Sequence, residues 1–159
     1  MMRWETTLIA AVILLLGAIG SSFAADVGGE AAEKELKKLQ GTWVMVSEEQ
    51  DGKKLADEHV SKSKIITEGN KFQIVIHHRH PETIIAEIVK IDPTKNLKEL
   101  HFVHENGPNA GKTFIAIYEF EGDDQYKFGF DPTGATTLKE FTTKVGTGHI
   151  LNRWKRVKP

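Results

Sequence analysis

The chain contains no cysteine. That absence excludes disulfides, thiolate metal sites, a cysteine nucleophile and a lipidated N-terminal Cys. An excess of one charge is also missing. Lys plus Arg is 21 and Asp plus Glu is 22, a formal net charge of −1. No global field draws the protein to nucleic acid or to an anionic membrane, so neither is an expected partner. Serine is scarce beyond the N-terminal stretch: Ser47, Ser61 and Ser63, none of them in Gly-x-Ser-x-Gly. There is no HExxH motif, no internal repeat and no low-complexity tract. No segment shows the βαβ alternation of a parallel sheet.

A chain of 159 residues, 40% hydrophobic and 27% charged, has the make-up of one soluble globular domain. The only long apolar run, Leu8 to Gly20, follows a short polar start containing Arg3. It ends in Ser22-Phe23-Ala24, with small residues at −3 and −1 of a cleavage point. This is the pattern of a secretory signal. The run is about 13 residues long, short of the roughly 20 that a membrane span needs. The expected division is residues 1–24 as signal peptide, 25–38 as linker and short helix, and 39–159 as the folded domain. The mature protein is expected to be exported, periplasmic or extracellular, without stable membrane insertion. Lacking disulfides, it must be held by its core alone.

Glu30 to Leu39 has the helical period. Ala32, Leu36 and Leu39 form one apolar stripe, with Glu30–Lys34 and Glu33–Lys37 as i,i+4 pairs. So short a helix must dock its stripe on something. From Gly41 onward the period becomes that of strands. The runs are Thr42–Ser47, Lys64–Thr67, Lys71–His78, Thr83–Ile91, Glu99–His104, Phe114–Phe120, Gln125–Phe130, Leu138–Thr143 and His149–Val157. Turn residues separate them, as in antiparallel all-β folds. Lys54 to Ser61 is a polar connection with room for one helical turn. Sandwich and closed barrel both fit this pattern.

Candidate chemistry is thin. Gly107 to Thr113 has three residues between its glycines where a phosphate loop needs four, and a strand follows where a helix should. His77, His78 and His80 cluster near Arg79, but period 2 puts His101 and His104 on opposite faces. Three or four converging ligands are not in view, so no metal is expected. The cluster reads more simply as an exposed strand end before Pro81. The carboxylates are scattered, with no spacing that argues for a glycosidase pair. No cofactor and no enzymatic activity are expected.

The aromatic and aliphatic faces remain. Phe72, Ile74, Ile76, Phe102, Tyr118, Phe128 and Phe141 share the apolar faces of their strands. They either fill a core or line a cavity for one small apolar ligand, with Tyr118 as a polar handle.

Gly41-Thr42-Trp43 opens the first strand just after a short helix, and Arg156 closes the last. This resembles lipocalin-type barrels, where a late Arg lies across the Trp ring and seals one end. A further series of short motifs runs from Leu39-Gln40-Gly41-Thr42-Trp43 through Asp92-Pro93-Thr94-Lys95-Asn96. It continues with Gly107-Pro108-Asn109-Ala110-Gly111-Lys112-Thr113, Ile117-Tyr118-Glu119, Gly122-Asp123 and Gly146-Thr147-Gly148-His149, and ends in Trp154-Lys155-Arg156. The series resembles an uncharacterised planctomycete-type lipocalin-like domain family of exported bacterial proteins. Ala116 stands where the family tends to have Gly. Leu138-Lys139 stands where an Arg-Pro usually precedes Glu-Phe, so any role of that arginine does not carry over. The resemblance implies an antiparallel β-barrel of about eight strands with a short N-terminal helix. Gly41, Trp43 and Arg156 would close one end. The expected function is non-covalent binding of a small apolar ligand in the barrel. The alternative is a protein-interaction module using loops such as 106–113 on a solid scaffold.

Overall fold

A computed structural model describes residues 27–77 and 82–158, the side chain of His59 excepted. The signal-like segment and His78, Arg79 and His80 lie outside the described residues. The protein is a closed, antiparallel, lipocalin-like β-barrel with a helix across one end. Helix α1 (Gly29–Leu39) leads into β1 (Gly41–Gln50). A two-residue strand β2 (Lys53–Lys54) and one helical turn α2 (Asp57–Val60) follow. The meander continues through β3 (Lys64–Glu68), β4 (Lys71–Ile76), β5 (Glu82–Asp92) and β6 (Lys98–His104). It ends with β7 (Thr113–Phe120), β8 (Gln125–Phe130) and β9 (Ile150–Arg156). Each strand from β3 onward pairs with the next, β1 pairs with β3, and β1 also pairs with β9. That last pairing closes an eight-strand ring and removes the free edges of an open sheet.

Period 2 then decides what faces inward. Tyr126 and Phe128 on β8 are buried, and so are Phe114, Ala116 and Tyr118 on β7. Two bulges interrupt the alternation. On β1 the register with β9 shifts between Met45 and Ser47, and on β5 the register with β6 shifts between Ile88 and Lys90. The extra residues, Val46 and Val89, are pushed outward to 40% and 37% exposure. Each bulge moves the rest of its strand by one residue, so Glu48 and Ile91 turn inward.

One expected strand does not form. Leu138–Thr143 has no regular structure because β8 pairs directly with β9, leaving no edge for it to join. Instead residues 131–149 make a strap over the outer face of the barrel. Leu138 fits over Gly129, where an added Cβ would stand 3.0 Å from its Cδ2, and Leu151 and Ile117 border the same spot. The Asp131 carboxylate pins the start of the strap by accepting from the N–H and hydroxyl groups of Thr133 and Thr136. Thr143 pins its end, donating its hydroxyl to Glu49 and accepting from the Gly52 N–H at 2.8 Å.

Candidate functional site

The two ends of the barrel are built differently. At the end where β1 begins, α1 lies across the opening with Ala32 and Leu39 buried. Trp43 is fully buried beneath it and donates its indole N–H to Leu39 O at 2.9 Å. The Arg156 guanidinium lies 4.0 Å from the centre of the Trp43 ring. It also donates to the Gln40 and Lys38 carbonyls at 2.6 Å each, satisfying acceptors at the C-terminus of α1. Gly41, at φ +101°, leaves room for that guanidinium, which would stand 3.5 Å from a Cβ there.

Glu35 is buried on the inner side of α1 and accepts from the Tyr118 hydroxyl and Lys98 Nζ, both at 3.1 Å, and from Lys38 Nζ at 2.9 Å. Burial alone would raise its pKa, but the hydrogen bonds from Lys38 and Lys98 outweigh it and hold the carboxyl below its ordinary range. Burial and the adjacent Glu35 push the Tyr118 phenol far up, so it stays a donor. The space left at this end, among residues such as Leu39, Phe72, Leu100 and Tyr126, is about 20 Å3. That holds about one water.

The other half of the barrel is hollow. A cavity of about 280 Å3 opens between the inward faces of seven of the eight ring strands. Its walls are mainly apolar: Ile65, Ile74, Ile76, Ile84, Phe102 and Phe128 among them, with Met45 and Trp154 at the inner end. Phe130 and Ile150 continue the lining toward the strand ends. Polar groups interrupt this surface. Glu48, Asn152 and His104 are each more than nine-tenths buried, and Glu82 stands exposed at the rim. The His104 ring packs 4.6 Å from Phe114 and 5.7 Å from Phe102. Burial lowers its pKa, partly opposed by the charge of Glu82. Asn152 Oδ1 and Trp154 Nε1 are buried without any hydrogen-bond partner. A larger hollow of about 460 Å3 lies outside, along the strap, but Lys139, Glu140 and Lys144 at its walls are exposed and the rest is chiefly threonine.

The residues singled out in the sequence divide accordingly. Ile74, Ile76, Phe102 and Phe128 line the main cavity. Phe72 lines the small space near α1. Tyr118 is fully buried at the sealed end and engaged by Glu35, not available as a handle in the cavity. Phe141 is on the outside: the Lys127 ammonium sits 4.5 Å from its ring centre, and Lys127 alternates with the inward Tyr126 and Phe128. Its placement in the lumen assumed a strand that has no edge to pair with. His104 points inward, whereas His101 lies beside Glu99 at 3.2 Å. The His77 side is exposed, and the rest of that cluster lies outside the described residues.

Sequence reasoning missed Glu48, Asn152 and Trp154 as cavity residues. Asn152 was legible, standing between Ile150 and Trp154 in the period of an inward face. Glu48 was hidden by the Val46 bulge. Glu35 was hidden too, because it stands between two members of an apolar stripe. Among the described residues no helix is long and apolar enough to cross a membrane. Comparison with family models, curated proteins and solved structures yields no match.

Proposed function

We propose that this is an exported lipocalin-like domain that binds one small, largely apolar molecule non-covalently in its barrel. The cavity carries the reading: about 280 Å3 of mainly apolar wall, closed at one end and framed by seven strands. A site of this kind is concave, pre-formed and lined by aliphatic and aromatic side chains with few polar groups. Filling it would remove exposed apolar surface from water at roughly 25 cal/mol per Å2. The Leu8–Gly20 run with its Ser22-Phe23-Ala24 ending supports export, and the motif series supports membership of the planctomycete-type family. The function proposed is carriage, not catalysis.

The test uses N-phenyl-1-naphthylamine, a neutral apolar fluorophore, against the mature protein and Ile74→Trp. A larger ring at position 74 fills the cavity from β4, where the side chain borders both the main cavity and the small space near α1. Saturable one-to-one binding that weakens at least about tenfold in the variant supports the site. No saturable binding, or equal binding by both proteins, overturns it. For export, N-terminal sequencing of the exported form should read from Ala25. An intact Met1 would contradict cleavage.

A further inference from the structure

The two unpartnered polar atoms of the cavity say what kind of ligand it takes. Among the described residues, only Asn152 Oδ1 and Trp154 Nε1 are buried side-chain polar atoms without a hydrogen-bond partner. Both belong to β9, two residues apart on its inward face, and both residues line the same cavity. The sealed end shows what the fold does with such groups elsewhere. Trp43, as deeply buried as Trp154, donates to Leu39 O, and the Tyr118 hydroxyl donates to Glu35. A buried donor or acceptor without a partner is costly, and an apolar residue at 152 would avoid that cost. The pair is thus an unanswered donor and acceptor two residues apart on one strand face, in a mainly apolar wall that Glu48, His104 and Glu82 also interrupt.

We propose that the cavity takes a neutral amphiphile: an apolar body carrying one end group, an alcohol, primary amide or un-ionised acid, that both donates and accepts a hydrogen bond at Asn152 and Trp154. This rests on the reading of the cavity as a ligand site. An anion could use the indole N–H but would face the carboxamide oxygen with like partial charge. A cation could use the oxygen and would meet two carboxylates in the lining, but Glu48 is already engaged, Glu82 stands exposed at the rim, and the indole N–H would face the cation with like partial charge. Either would also lose its hydration among isoleucines and phenylalanines. The described lining residues include no lysine or arginine to hold an anion. An end group that both donates and accepts also matches the Asn152 amide in either orientation of its terminal plane.

Titration calorimetry with four probes of similar shape tests this: 4-phenylbutan-1-ol, pentylbenzene, 4-phenylbutanoate and 4-phenylbutylammonium. The comparison is between the mature protein and Asn152→Leu, which keeps the volume and removes the acceptor. The expected result is a fall of about tenfold in the alcohol-to-hydrocarbon affinity ratio, with pentylbenzene binding within about twofold of the original. Trp154→Phe, which removes the donor, should lower the same ratio and serves if Asn152→Leu does not fold. An unchanged ratio in a folded variant overturns the end-group assignment while leaving the cavity as a ligand site. Tightest binding of the carboxylate or the ammonium also overturns it. Failure of all four probes to bind overturns the ligand site itself.

Discussion

The sealed and hollow halves of this barrel use the same strands and nearly the same alternation, yet differ in how their polar atoms end up. At the sealed end four groups that enter the interior are answered. Trp43 has Leu39 O, Tyr118 has Glu35, Glu35 has Lys38 and Lys98, and Arg156 has two helix carbonyls. At the hollow end Asn152 and Trp154 are buried and unanswered around about 280 Å3 of space. The first arrangement gives stability. The second withholds packing where a ligand can supply it, as functional sites often do.

Substitutions should separate these roles. The largest effect belongs to Trp43→Ala, which removes a fully buried ring, its bond to Leu39 and the platform under Arg156. A loss of about 3–5 kcal/mol in denaturant unfolding is expected. A loss under about 1 kcal/mol would mean that the helix end does not hold the barrel shut.

Next comes acid sensitivity. The folded pKa of Glu35 lies below its ordinary 4.5, so its contribution to stability is present above that value and is lost as pH falls through the folded one. Asp131, held near 2 by its two threonines despite burial, acts in the same direction at lower pH. Glu35→Gln should therefore be less stable at neutral pH and flatter below pH 4.5. Parallel stability–pH curves for the two proteins would remove Glu35 from the account.

A smaller change is expected from the hollow end. His104 is held neutral by burial, with a folded pKa below 6.5. As pH falls below that value the unfolded chain takes up the proton first, so stability falls until the folded pKa is reached. His104→Phe should remove that slope, read by thermal melts between about pH 7.5 and 5.5, one unit on either side of an ordinary histidine. A retained slope would place its origin elsewhere. The smallest effect is Lys34→Ala, which breaks an exposed ion pair to Glu30 and should change stability by less than about 0.5 kcal/mol.

Most of the strand runs and many of the inward faces were legible because alternation survives wherever the chain is regular. Sandwich and barrel both fitted that pattern, and the barrel followed from the lipocalin resemblance alone. Tyr126, Phe128 and Phe130 read directly as one face, and so did Phe114, Ala116 and Tyr118. What failed has local causes. A single extra residue, Val46, reverses the parity of β1, so Glu48, which the expected Thr42–Ser47 run left out, faces inward and is buried. Phe141 reads as part of an apolar strand, but closure of β8 on β9 left that strand nothing to pair with. Tyr118 was placed on the right face but at the wrong end, because alternation carries no information on depth along the barrel. Depth is set by the stagger of neighbouring strands and by where α1 lands, and both are tertiary.

Native mass spectrometry of the protein, purified gently from its native source, tests the central claim most directly. The account predicts a stoichiometric extra mass that is lost on denaturation and absent from Ile74→Trp. A bare mass for the original protein, unchanged on adding neutral amphiphiles, would contradict it and turn attention to the loops of a solid scaffold.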